Sequence, residues 1–452
     1  MTLDRARMPA LGADEAFRFP RVRRAVLPCG IGLRTVEHRG VPVIALLLVV
    51  TVGAADDPAD RPGLAALTAD LLDEGSGDRS AIDIHEAIAR IGGVFDTETG
   101  YDTTVVSLVT LARFHDRALE LLADIVFAPR FAEDDVVRVR ALRLNRLKQL
   151  RDVPAALAEE AFARHLFGAH PYGHLPIGTL DALGLITTAD PRAFHALQYR
   201  VDRATLVAVG DAGHDALAEA AERAFARVVP QARSGRSVTA AATPGSAGAR
   251  TRRLVLVDRP GAPQSELRLG RVAASRSTPD YHALVTLNSV LGGQFVSRIN
   301  LNLREEKGYT YGARSVFDFR RRPGPFVVQV GVQTAATAAS IREVVQEVED
   351  IRGARPATDG ELELARAALT RGYARNFETA EQLARAVAQQ VVHGLPDDYY
   401  DRFVGDILRV DAAAVTSVAE RWLDTADLLT VVVGDRATIA PGLVDVGVGE
   451  LV

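Results

Sequence analysis

Leu303-Arg304-Glu305-Glu306-Lys307-Gly308-Tyr309-Thr310-Tyr311-Gly312 is the stretch that decides the reading of this chain. It follows closely on Leu287-Asn288-Ser289-Val290-Leu291-Gly292-Gly293-Gln294-Phe295-Val296-Ser297-Arg298-Ile299. An apolar helix closed by paired glycines, a Ser-Arg step and a second helical run therefore succeed one another. Gly308 suits the end of that run, because glycine takes up the left-handed helix-stop conformation without a Cβ penalty. Lys307 stands at the helix's negative pole, where a cation is favoured. Beyond it the alternation predicts a strand from Tyr309 to Phe317, with Tyr309, Tyr311, Ala313, Ser315 and Phe317 on one face. Arg304, one turn before the stop, then lies beside the start of that strand. A guanidinium and a phenol held together form a compact set of hydrogen-bond donors.

The same sequence of elements occurs earlier in the chain. Ser80 with Asp83 three residues on marks a helix start, and Ile84, Ile88 and Ile91 share the face that follows. Gly92-Gly93 ends it, and an alternating strand is expected from Val94 to Val109. Each half closes on an apolar strand ending Val-Gly-Asp: Thr205 to Asp211, then Leu429 to Asp435. Gly93 and Gly308 are 215 residues apart and Gly210 and Gly434 are 224 apart, a nearly constant offset that indicates an internal duplication. Pro230 to Arg253 is rich in Ala, Ser, Gly, Thr and Arg and reads as a flexible linker. The expected organisation is a tail over 1–19, one domain over 20–229, the linker over 230–253 and a second domain over 254–452. Helical patterns over Asp134 to Leu166, Asp359 to Leu395 and Ala412 to Trp422 complete the picture. The fold class is α+β, two homologous tandem domains of mainly antiparallel sheet packed with helices.

Composition narrows the function classes. A chain of 452 residues exceeds the roughly 250–300 residues a single core supports. A net charge of −5 argues against a nucleic-acid partner. The single cysteine, Cys29, permits neither an intrachain disulfide nor a multi-cysteine zinc site. Met1 to Pro20 has no apolar run of the secretory type, and Val41 to Ala55 is broken by Pro42 and Gly53. That run is also shorter than the roughly 20 residues of a membrane-spanning helix and reads as a buried strand. A cytoplasmic protein with no membrane partner is expected, the periplasm remaining open.

Gly63-Leu64-Ala65-Ala66-Leu67-Thr68-Ala69-Asp70-Leu71-Leu72 reads as a helix with Leu64, Leu67, Leu71 and Leu72 on its core face and Pro62 in its first turn. Asp70, Asp73 and Glu74 read as a solvated polar face. His170 and His174 cannot share a helical face across Pro171 and Gly173, so they are read as structural. Neither a nucleophile elbow nor a phosphate loop is present.

The Leu287–Gly312 segment closely resembles the C-terminal signature of the pitrilysin and mitochondrial-processing-peptidase family of inverted-motif zinc peptidases. With the matches in the first half, the resemblance runs from about residue 20 to about residue 440. It implies that the two domains together form half of a clam-shell chamber. Laid over the family's His-x-x-Glu-His helix, the two ligand histidines fall on Ala66 and Asp70 and the general-base glutamate on Ala69. The third ligand is a glutamate upstream of an Asp-x-Pro turn. Asp152-Val153-Pro154 matches the turn, but Arg143-Leu144-Asn145-Arg146-Leu147-Lys148 holds no carboxylate. Zinc hydrolysis needs three protein ligands, an open position for water and a base. No zinc is therefore expected in this chain.

Arg304 and Tyr311 match the family's arginine–tyrosine pair, which hydrogen-bonds the substrate carbonyl as it becomes an oxyanion. The resemblance thus implies a non-catalytic subunit, inactive alone, of a heterodimeric zinc metallopeptidase. A homologous partner would carry the intact His-x-x-Glu-His motif and the zinc, and peptides or small unfolded proteins would be the substrates. The strand over Val94 to Val109 matches the one that pairs with extended peptide in catalytic members. The alternatives are a catalytically silent scaffold or core-like subunit, and a stand-alone peptide-binding module.

Overall fold

The computed structural model describes residues 17–228 and 252–451 apart from 445 and 448. Two six-stranded sheets form its framework. The first holds β1 (Arg23–Val26), β2 (Gly32–Glu37), β3 (Val43–Val50), β4 (Val94–Thr99), β5 (Thr104–Leu111) and β6 (Ala204–Gly210). Its order is β1-β2-β6-β3-β5-β4. The second holds β7 (Arg253–Asp258), β8 (Gln264–Val272), β9 (Ala313–Phe317), β10 (Pro325–Gln333), β11 (Leu429–Gly434) and β12 (Glu450–Leu451), in the order β12-β7-β11-β8-β10-β9. The strands ending Val-Gly occupy the same third place in both sheets. In each sheet that strand lies parallel to one neighbour, β2–β6 and β7–β11, and antiparallel to the other. Five strands thus recur in the same order and directions, as a duplication requires. The sixth differs, for β1 pairs antiparallel to β2 whereas β12 pairs parallel to β7.

The continuous apolar run of β3, Val-Ile-Ala-Leu-Leu-Leu-Val-Val, follows from burial of both its faces. Ile44, Leu46, Leu48 and Val50 pack with Leu67, Leu71, Ile84 and Leu119 of their own half. Ala45, Leu47 and Val49 pack instead against Leu383, Ala384 and Val387 of the helix Ala380–His393, which belongs to the second half. The exchange is reciprocal. The helix Pro154–Phe167 from the first half lays Ala161 and Phe162 on Val255, Val327, Leu429 and Val431 of the second sheet. Each sheet is therefore covered on one side by a helix from the other half.

A polar seam closes the junction. The Arg320 guanidinium lies 3.5 Å from the Tyr101 ring centroid and 4.7 Å from that of Tyr172. Asp102 accepts from the Tyr172 hydroxyl at 2.7 Å and from the Arg321 amide at 3.0 Å. The expected linker lies outside the described residues up to position 251, and Arg253 already opens β7.

Four elements differ from the sequence reading. The single strand expected over Val94–Val109 is the hairpin of β4 and β5, turned where the Gly100 amide bonds the Thr103 carbonyl at 2.8 Å. The strand expected from Tyr309 begins only at Ala313, because the Thr310 hydroxyl bonds the Gly331 carbonyl at 2.6 Å and draws the chain out of the ladder. Asp134–Leu166 is two helices, Glu133–Leu150 and Pro154–Phe167, since Pro154 disfavours helical backbone at the residue before it. Asp359–Leu395 likewise divides into Asp359–Thr370 and Ala380–His393; Gly372, at φ 75°, lies between them and Thr379 caps the second. Ala412–Trp422 forms as expected. Among the described residues no helix is long and apolar enough to cross a membrane.

Candidate functional site

The helix Leu64–Asp70 is built with care at its start. Gly63 takes φ 97°, and a Cβ there would lie 2.7 Å from the Gly178 Cα. Asp57, its side chain wholly enclosed, accepts from the Gly63 and Ala65 amides at 2.7 and 2.6 Å and pairs with His174 Nε2 at 3.0 Å. Burial raises the Asp57 carboxyl above its ordinary range, opposed by these bonds. The carboxylate answers the unpaired amides and the positive pole of the helix start. His174 is thus structural, as is His170, whose Nδ1 lies 3.1 Å from the Tyr172 amide.

The face that follows has no metal chemistry. Ala66 and Ala69 are buried methyl groups. Asp70 is ion-paired with Arg143 of the helix Glu133–Leu150. Asp73 pairs with His85 at 3.2 Å and Glu74 with Arg138, so each carboxylate of the polar face has its own side-chain partner. Among the described residues no group of three or more His, Cys, Asp and Glu side chains could hold a metal ion. Two alanines, one carboxylate and a guanidinium do not fit the three-ligand site that zinc requires.

The C-terminal motif is assembled differently. Arg298 is buried and makes a bidentate bond to Glu361 at 2.6 and 2.7 Å, tying the motif to the helix Asp359–Thr370. Leu301–Glu306 forms a π-helical turn, with the Lys307 amide bonding the Asn302 carbonyl at 3.0 Å. Such wide turns are frequent at functional sites. Gly308 stops it at φ 66°, as its position predicts, and Lys307 Nζ lies 3.4 Å from Glu343.

Tyr311 follows in the loop before β9, with 92% of its surface exposed. It lines a groove of about 530 Å³ whose wall includes Gly292, Gly293, Phe295, Asn300 and Gln329. Arg304 is not among the groove's lining residues; its guanidinium lies 4.1 Å from the ring centroid of Phe295, which does line it, and its Nη1 is 3.1 Å from Glu305 Oε1. Gly292 brings this wall against β9, where its carbonyl takes the Ser315 amide at 2.9 Å. The shared strand face expected for Tyr311 and Ser315 is corrected accordingly, because Tyr311 precedes the strand. Tyr309 is half-buried against the core of the second half. At the far end of the first sheet β4 is an edge strand, its residues alternately exposed and half-buried.

Three of these contacts were not foreseen from sequence: Asp57–His174, Asp70–Arg143 and Arg304–Phe295. The first two join residues 117 and 73 positions apart, which no periodicity reveals.

Residues 35–179 match the model of insulinase (peptidase family M16), and residues 186–369 match that of the peptidase M16 inactive domain. An uncharacterized zinc protease of Mycobacterium bovis is 28% identical over 375 residues, covering 82% of this chain and 84% of the relative. One from Mycobacterium leprae is 27% identical over 379 residues, 83% of each. The peptidase M16 inactive domain from Pseudomonas fluorescens superposes with a TM-score of 0.84 at 24% identity, over 92% of this chain and 98% of that one. A protease from Helicobacter pylori gives 0.85 at 20% identity, over 92% and 100%. The chain belongs to peptidase family M16, carrying both the insulinase-type half and the inactive-domain half in one polypeptide.

Proposed function

We propose that this chain is the non-catalytic subunit of a two-chain zinc peptidase. A homologous partner holds the metal in an intact His-x-x-Glu-His helix, and this chain lends Arg304 and Tyr311 to that site. The observation that carries the reading is Tyr311: a tyrosine left 92% exposed at the mouth of a groove, while Leu303 and Tyr309 of the same motif pack into the core. Aromatic side chains presented in this way are typical of contact with a partner or ligand. The helix at the metal position supports it from the other side, being firmly capped yet without ligands or base.

In the complex the Arg304 guanidinium and Tyr311 hydroxyl donate to the substrate carbonyl oxygen as it gains negative charge. Removing one donor of this kind costs about 10²- to 10³-fold in rate. The Phe295 ring, part of the groove wall, lies against the Arg304 guanidinium and fixes where that side chain starts from. The substrates are extended peptides or small unfolded proteins, and β4 offers an edge for backbone pairing.

The test is purification of the tagged chain from its own cells under gentle conditions. Recovery with a similar-sized chain bearing the intact motif, and peptidase activity only in the mixture, is the expected result. Recovery alone with measurable peptide affinity supports a stand-alone binding module instead. A complex whose activity ignores changes at Arg304 and Tyr311 supports a scaffold.

A further inference from the structure

We infer that Arg143 is a built-in cation occupying the charge position of the absent metal, so that this helix face is closed to zinc by repulsion as well as by lost ligands. Asp70 ends the helix Leu64–Asp70 and Arg143 lies near the middle of the facing helix Glu133–Leu150. The Arg143 Nη2 donates to the Asp70 carboxylate, and Nη1 lies 3.4 Å from the Ile177 carbonyl. The Arg143 side chain is 11% exposed, against 43% for Asp70, so the guanidinium is the inner member of the pair. A guanidinium stays protonated throughout the accessible pH range. The charge is therefore permanent, and a divalent ion bound beside Asp70 would meet it at short range with little water between.

The same geometry singles out Arg143 as the side chain that must change before the face can coordinate. Positions 66 and 70 lie one helical turn apart on one face, and Arg143 is the residue that the facing helix directs to position 70. Two imidazoles at 66 and 70 with a carboxylate at 143 would make a three-ligand set of the kind zinc accepts. The inference concerns the first half alone, so its outcome is independent of the role given to Arg304 and Tyr311.

The experiment is a zinc titration of the purified full chain by calorimetry, with cobalt absorption as a second readout of tetrahedral geometry. Ala66→His/Asp70→His is compared with Ala66→His/Asp70→His/Arg143→Glu, after circular dichroism and melting temperature have shown both to be folded. The triple variant is expected to bind one zinc per chain, and the double variant at least about a hundredfold more weakly. Ala66→His/Asp70→His/Arg143→Gln, which removes the charge and supplies no anionic ligand, is expected to fall between them. Equal zinc affinity of the double and the Arg143→Gln variants overturns the inference. So does a folded triple variant that binds no more zinc than the unmodified chain. Should the triple variant not fold, the comparison of the other two decides alone.

Discussion

Phe162→Ala tests whether the two halves are one folding unit. The Phe162 ring is 2% exposed, comes from a first-half helix and lies on the second sheet. It stands directly over Gly270 of β8, where a Cβ would come within 2.8 Å of its Cζ. A glycine floor has no side chain that can move to fill the space left by the ring. The substitution therefore leaves a cavity and should cost near the upper end of the usual range, about 4–5 kcal/mol. Unfolding entropy near 2.1 cal/mol/K per residue gives about 0.9 kcal/mol/K for the whole chain. If the exchanged helices join the halves into one cooperative unit, Tm falls by about 5 °C. If the second half melts alone, roughly 200 residues give about 0.4 kcal/mol/K and a fall of about 11 °C in that half only. Scanning calorimetry distinguishes the two. A single endotherm displaced by about 5 °C is expected, and two resolved endotherms of which only one moves would refute the reasoning.

Further expectations follow from individual contacts. Burial raises the Glu361 carboxyl, but bonds from Arg298 and Thr358 outweigh it and hold the group at about 2. Its folded pKa is thus below its unfolded value, so this stabilisation is complete above about pH 4.5. It disappears as pH falls towards 2. Urea midpoints across that window should fall less steeply for Glu361→Gln than for the native chain; parallel curves would dissociate the pair from acid stability. Asp57→Ala removes the cap of the Leu64–Asp70 helix and strands two amides beside His174, for an expected loss of about 2–3 kcal/mol. Chemical denaturation measures it, and a loss below about 0.5 kcal/mol would mean that water replaces the cap. Phe295→Ala frees the Arg304 guanidinium and should lower kcat of the complex more than it raises KM. Phe295→Tyr, keeping the ring, should restore it. Failure of that rescue would exclude a positioning role.

The duplication was legible because local strings carry it. The two Val-Gly-Asp endings mark strands at the same place in each sheet, and Gly93 and Gly308 follow helical segments that lead into corresponding edge strands. The Ser80–Asp83 helix start was also readable, since both partners lie within one turn, and the structure forms the full capping box. The expected strand from Tyr309 failed for a tertiary reason: alternation continues through Tyr309 and Tyr311, but the Thr310 hydroxyl finds a carbonyl on β10. The helix exchange left only an indirect mark. β3 reads as apolar on both faces, which shows that something covers each side without saying that one cover comes from residues 380–393. That Ala66, Ala69 and Asp70 supply neither the two histidines nor the glutamate of the family's motif was plain from residue type. Arg143 as the partner of Asp70 was not, because a long side chain on another helix has no sequence signature.

The most direct test of the half-site reading is steady-state kinetics of the reconstituted two-chain complex with Arg304→Ala or Tyr311→Phe in this chain and Tyr309→Phe as a control. The account predicts that kcat falls about a hundredfold or more for each of the first two, with zinc content and complex stability unchanged. The Tyr309 variant should stay close to the native rate. Native kcat in both the Arg304 and Tyr311 variants would contradict the account and leave this chain a scaffold.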